Sequence, residues 1–189
     1  MSQIALPKWL TVPNVLSLSR IVLLPVLVWL VHSPWPVAFL VLYIIVGSTD
    51  FFDGIVARRF NWVTDAGKDF DAIADLFFYL GSAYFLYVLY TPYIVANAVY
   101  FYVFFGLLAL YLFSPLVLVR KSIMMHTKIL KTGAVLVYFL VILSFFMDTT
   151  LVVRGILFLY YVGFTEAFLM FLLYGDVDPD TPSIFHLKK

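Results

Sequence analysis

Residues 50–75 read DFFDGIVARRFNWVTDAGKDFDAIAD, a stretch that holds Asp50, Asp53, Asp65, Asp69, Asp71 and Asp75, six of the chain's 11 acidic residues. Long apolar runs flank it on both sides. The chain of 189 residues is 64% hydrophobic and 12% charged, with a mean hydropathy of +1.03. Soluble domains are nearer half apolar and a quarter charged, so the composition is that of a polytopic membrane protein. In such a chain a cluster of carboxylates needs a partner that holds it.

A spanning helix takes about 20 predominantly apolar residues, so the breaks between apolar runs count the spans. The runs cover roughly 14–32, 35–59, 66–90, 93–119, 127–147 and 150–174, separated by SPWP, NWVTDAGKD, TP, RKSIMMH and MDTT. These separators are rich in Pro, Asp, Ser and Thr, as turns are. The expected fold is therefore an all-α polytopic membrane protein with six transmembrane helices, forming a single domain over residues 1–189. The apolar run Ile21–Val31 follows a polar lead without a small-residue cleavage site, which fits a first membrane helix better than a signal peptide. No internal repeat suggests an inverted-repeat transporter.

Lys and Arg orient the spans. Lys8 and Arg20 lie at the start of the first span, Arg58, Arg59 and Lys68 flank the second connection, and Arg120, Lys121, Lys128 and Lys131 flank the fourth. Lys188 and Lys189 end the chain, and the first, third and fifth connections contain no Lys or Arg. The positive-inside rule then puts both termini and the second and fourth connections on the cytoplasmic side of a prokaryotic-type cytoplasmic membrane, with Arg154 the exception. Trp9, Trp35, Trp62, Tyr90 and Tyr93 suit interfacial belts. A net charge of +1 argues against nucleic acid as a partner, and the absence of Cys excludes thiolate ligands and thiol nucleophiles.

Helical spacing places Asp50, Asp53 and Ala57 on one face of the second span, and Gly67, Asp71 and Asp75 on one face of the third. At 1.5 Å per residue, Asp50 and Asp53 sit about 9–14 Å from the cytoplasmic end of their helix. An Asp at a helix centre costs roughly 2.5–3.5 kcal/mol on insertion scales, so four such residues point to a bound cation. Asp65 and Asp69 fit solvated charges at the membrane surface. Oxygen donors without Cys or a nearby His favour Mg²⁺ or Mn²⁺. Gly54 and Gly67 bracket the cluster and allow close approach of a ligand, although a lone membrane Gly usually serves helix packing. Arg58 suits a phosphate or a structural ion pair. Metal, glycines and arginine together fit a diphosphate substrate.

The pattern Asp50-x2-Asp53-Gly54-x2-Ala57-Arg58-x8-Gly67-x3-Asp71-x3-Asp75 resembles the signature of the CDP-alcohol phosphotransferases (the CDP-alcohol phosphatidyltransferase family) at every defined position. The opening VPNVLSLSRIVLLP resembles the first-helix entry of the family's phosphatidylglycerophosphate synthases. The resemblance implies transfer of a phosphatidyl group from CDP-diacylglycerol, or a related CDP-lipid, to an alcohol acceptor with release of CMP. It implies that Asp50, Asp53, Asp71 and Asp75 hold Mg²⁺ or Mn²⁺, with two ions expected. It makes Asp75 the general base, sets Gly54, Ala57 and Gly67 against the cytidine, and gives Arg58 to the nucleotide. Homodimers are common in the family.

The acceptor is expected to be glycerol 3-phosphate. Lys128, Lys131 and Thr132 resemble a basic pair found at this position in members that use phosphorylated acceptors, and Arg120 and Lys121 lie nearby in sequence. These residues equally suit cytoplasmic anchors. Glu166 is a costly carboxylate inside the last span, expected either to line the acceptor pocket or to pair with Lys131. Leu76 stands where many glycerophosphate-type members carry Lys, span four lacks their Ala-Arg-Glu segment, and GKDFDAIADL resembles the serine-transferring branch. Serine, inositol and inositol phosphate are thus alternative acceptors. A divalent-cation transporter would explain the acids but not Gly54, Ala57, Arg58 and Gly67.

Overall fold

The computed structural model describes residues 12–60, 65–120, 125 and 127–187; within its helices, the side chains of residues 12–13, 51–58, 65–66, 68–69 and 72 lie outside the described part. All regular structure among the described residues is helical. The helices are α1 (Val12–Val31), α2 (Pro36–Arg59), α3 (Asp65–Leu89), α4 (Thr91–Ala96), α5 (Ala98–Leu118), α6 (Lys128–Ser144) and α7 (Thr150–Tyr174), followed by a 3-10 turn at Ile184–His186. Among the described residues three helices, α1, α5 and α7, are long and apolar enough to cross a membrane. Among the described residues α2 and α3 also carry shorter apolar stretches, Pro36–Asp50 and Ile73–Leu89.

The chain divides into two compact units, residues 1–89 and 90–189. In the first, α1 packs on both α2 and α3. Ser17, Arg20, Leu27 and Val31 are buried along one stripe of α1, and Ala74, Phe78, Ser82 and Phe85 along one stripe of α3. The aromatic centre stacks Tyr43 on Phe39 and on Phe78, with ring centroids 5.8 and 5.3 Å apart. The Tyr43 hydroxyl lies 2.8 Å from Ser82 Oγ, and Ser82 donates to the Phe78 carbonyl at 2.9 Å. The outward positions are apolar: Val22, Val37 and Leu80 are all exposed. Polar side chains kept inside, at Ser17, Arg20 and Ser82, beneath an apolar surface are the arrangement expected when lipid is the solvent. His32, at the end of α1, meets the Tyr84 hydroxyl at 2.7 Å.

In the second unit α7 is the central element, packed by α4, α5 and α6. The stretch expected to be one span over 93–119 is interrupted between α4 and α5. Asn97 causes the break. Its buried side-chain amide donates to the Tyr93 and Thr150 carbonyls at 2.9 and 3.0 Å, and its Oδ1 accepts from Arg154 Nε at 3.2 Å. The Arg154 guanidinium also lies 4.8 Å from the Tyr100 ring centroid, so the one basic residue that departs from the charge rule has partners inside its own unit. Ahead of α7, Asp148 accepts from the Thr150 hydroxyl and backbone N–H, which hold its carboxyl below the usual carboxylate range.

The end of this unit where α6 begins and α7 finishes is closed by a folded tail. Gly175 takes a φ of 73°, a left-handed conformation that suits glycine, and turns the chain back after α7. Val177 is thereby buried in a cluster with Tyr111, Met125, Phe164, Ala167, Met170 and Phe171. Helices α6 and α7 approach closely at Gly133 and Gly163. A Cβ at Gly133 would lie 2.9–3.2 Å from three atoms of the Tyr160 ring, which is itself packed between Phe104 and Phe164. Gly133→Ala is therefore expected to lower the thermal unfolding midpoint in detergent, at a cost of about 1–3 kcal/mol from overpacking. Gly106→Ala, where a Cβ meets nothing within 4 Å, is the matched control and should not lower it.

Candidate functional site

The spacing that packs the first unit also gathers its charges. Arg20 follows Ser17 by three residues on the buried stripe of α1, and Asp50 follows the buried Tyr43 and Val46 by seven and four residues on α2. Asp71 and Asp75, one turn apart, precede the buried Phe78 and Ser82 on α3. Two helices thus deliver three carboxylates to one guanidinium on a third.

Arg20 Nη1 donates to Asp50 Oδ1 at 3.3 Å and to Asp75 Oδ1, while Nη2 donates to Asp71 Oδ1 and to Ser17 Oγ at 3.4 Å. Ser17 in turn donates its hydroxyl proton to Asp71 Oδ1 at 3.0 Å. The Arg20 side chain is 0% exposed, whereas those of Asp50, Asp71 and Asp75 are 37%, 37% and 30% exposed. The arginine is therefore enclosed while each carboxylate keeps an open side.

One oxygen from each of the three acids lies within 4.8 Å of the others. Like charges this close repel one another, and a cation among them offsets that repulsion. Oxygen-only donors with open sides suit a hard divalent ion, so the residues present fit Mg²⁺ or Mn²⁺. Of the expected ligands, Asp50, Asp71 and Asp75 are brought together. Asp53, Gly54, Ala57 and Arg58 belong to α2, with side chains outside the described part, and Gly67 lies in the first turn of α3.

The residues expected to meet the acceptor lie in the second unit. Lys128 and Lys131 are exposed at the start of α6, whose N-cap Thr127 accepts from the Leu130 N–H at 3.4 Å. Thr132 donates to the Lys128 carbonyl. Arg120, just after α5, has a φ of 60°, unusual for a residue with a side chain. Lys121 and His126 lie outside the described residues.

Glu166 does not pair with Lys131, as one of the two expectations had it. Lys131 Nζ instead lies 4.0 Å from Asp180, both side chains being well exposed. Glu166 is buried and takes hold of the tail: its Oε1 accepts from Ser183 Oγ at 2.6 Å and from the Ile184 N–H at 3.0 Å. The Pro182 carbonyl then accepts from the Lys128 N–H at 3.0 Å, so the tail also caps the start of α6.

Sequence reasoning missed Ser17 and Arg20 as members of the acidic site. The available signal was an arginine followed by eleven uncharged residues in the first span. The charge rule alone places it at the cytoplasmic flank.

Residues 10–171 match the family model described as CDP-alcohol phosphatidyltransferase. The chain belongs to the CDP-alcohol phosphatidyltransferase family. Family membership and the three long apolar helices make it an integral membrane protein. It is 42% identical over 66 residues to a Rickettsia typhi protein named CDP-diacylglycerol–glycerol-3-phosphate 3-phosphatidyltransferase, covering 33% of this chain and 37% of the relative. A protein of the same name from Aquifex aeolicus is 41% identical over 69 residues, 36% of this chain and 39% of the relative. A Streptomyces coelicolor protein named cardiolipin synthase (CMP-forming) is 33% identical over 82 residues, 39% of this chain and 37% of the relative. The chain thus spans little more than a third of the length of these relatives.

The tail contact yields a direct expectation. Glu166→Ala removes the acceptor of two hydrogen bonds and leaves the Ser183 and Ile184 donors without it. The segment after Gly175 should become more sensitive to limited proteolysis, by about fivefold or more if one to two net hydrogen bonds are lost. Cleavage mapped by mass spectrometry at wild-type rates would contradict it.

Proposed function

We propose that the protein transfers a phosphatidyl group from CDP-diacylglycerol, or a closely related CDP-lipid, to the hydroxyl of glycerol 3-phosphate, releasing CMP. The observation that carries this is the convergence of Asp50, Asp71 and Asp75 from two helices on one point, with their open sides available to a ligand. The family match supports the reaction class, and the relatives named for glycerol 3-phosphate favour that acceptor over serine, inositol or inositol phosphate.

The architecture that goes with this proposal is one membrane domain of six spans over residues 1–189, with both termini and the acidic site on the cytoplasmic side, assembled as a homodimer. A lipid substrate diffuses in the bilayer and a charged acceptor arrives from water, so the site belongs at the depth where both reach it. Asp50, Asp53, Asp71 and Asp75 would hold two Mg²⁺ or Mn²⁺ ions. Such ions, when bound, neutralise the diphosphate and make its phosphorus open to attack. Gly54, Ala57 and Gly67 give the nucleotide a wall without bulky side chains, and Arg58 donates to its phosphate end. Arg120, Lys128 and Lys131 receive the phosphate of the acceptor.

Asp75 accepts the proton from the acceptor hydroxyl as its oxygen attacks the β-phosphorus. The new P–O bond forms as the bond to the CMP oxygen breaks, and CMP departs with the bonding electron pair. No side chain need become covalently attached.

Purified protein should release CMP from CDP-diacylglycerol only when both a divalent ion and glycerol 3-phosphate are present, and excess chelator should abolish turnover. Asp71→Asn is expected to lose at least 10²-fold in turnover, and Asp75→Asn 10²–10⁴-fold, the usual range for a positioned base. CMP release with serine or inositol but not glycerol 3-phosphate would move the acceptor. Lack of release by protein that also fails to bind CDP would overturn the enzyme assignment.

A further inference from the structure

Arg20 is a costly residue to enclose. A fully buried guanidinium has a desolvation penalty that only well-placed acceptors offset, and here three carboxylates and a serine hydroxyl supply them. The relation is mutual, since three carboxylates within 4.8 Å of one another need a cation. The oxygens that Arg20 engages are Oδ1 of Asp50, Asp71 and Asp75, drawn from the residues that would hold a divalent ion.

From this, we propose that Arg20 is the built-in counter-cation of the site: it keeps the three carboxylates assembled in the absence of a divalent ion, and competes with that ion for them. The inference rests on the proposed metal site and goes beyond it, because it assigns this chain a means of setting how tightly the ion is held. Two consequences have opposite signs. Without divalent ion, Arg20 is the charge that prevents the acids from repelling one another. With the ion, Arg20 is a positive neighbour that weakens its binding. Loss of a residue that merely shaped the site would weaken the ion's binding; loss of a resident counter-cation strengthens it.

The test is equilibrium Mn²⁺ binding by purified full-length protein, followed by electron paramagnetic resonance of the free ion, alongside thermal unfolding in chelator and in Mn²⁺. Arg20→Gln should bind Mn²⁺ about tenfold more tightly than wild type, the lower end of what one charge within 4–6 Å does to a titrating group. Its unfolding midpoint should fall in chelator and recover with Mn²⁺ by a larger shift than wild type shows. Arg20→Lys keeps the charge but loses the planar fork that spans three carboxylates, so its affinity should lie between the two. It decides the question if Arg20→Gln does not fold: tighter binding than wild type supports the role, and equal or weaker binding overturns it. Asp71→Asn, in either background, should remove the binding. If wild type binds Mn²⁺ through Asp71 and Arg20→Gln binds no more tightly, the role of Arg20 is wrong and the metal site stands. If neither wild type nor the Arg20 variants bind Mn²⁺, both fall.

Discussion

The first unit depends on the enclosure of one guanidinium by three carboxylates. The guanidinium is the enclosed partner, while the carboxylates keep an open side. Stripping a buried charge of its partners typically costs about 3–5 kcal/mol, because it then has neither water nor a counter-charge. Arg20 therefore ties α1 to α2 through Asp50 and to α3 through Asp71 and Asp75, and Ser17 adds a hydroxyl to the same knot. The apolar stripes below it set helix register. The ion pairs make that register specific, since sliding any helix by one residue would strand a charge.

Much of this was legible in the sequence, and what was not has a physical reason. Helix positions followed from apolar run length: the expected spans 35–59, 66–90 and 150–174 correspond to Pro36–Arg59, Asp65–Leu89 and Thr150–Tyr174. The i, i+4 spacing of Asp71 and Asp75 put both on one helix face, and the structure brings them to Asp50. The interruption at Asn97 was not foreseen. Asn97 sits in a run whose hydropathy reads as continuous, and its effect comes from bonds to Thr150 and Arg154, more than fifty residues away. Long-range hydrogen bonds leave no local periodicity to read.

Arg20 is the instructive omission. A basic residue near the start of an apolar helix satisfies the charge rule, and that rule offers no reason to look further. Cost does offer one: an arginine enclosed in a bundle demands acceptors, and the chain's dense acidic segment is the obvious supply. Glu166 makes the converse point. A buried carboxylate suggested a pocket, yet its Oε1 holds the tail at Ser183 and Ile184. Depth tells that a charged side chain has a partner; only topology tells which.

The two units answer the same electrostatic problem with different consequences. In the second, Arg154 is matched by the neutral amide of Asn97 and the face of Tyr100, and Glu166 by a hydroxyl and a backbone N–H. Those arrangements end within the fold and serve its geometry. In the first, one guanidinium faces three carboxylates, each partly open. Among the described residues one positive charge meets that set, which leaves the assembled acids an attraction for further cations. Among the described residues the acids outnumber the arginine that gathers them, and an excess of that kind is what distinguishes the cluster from a one-to-one structural ion pair.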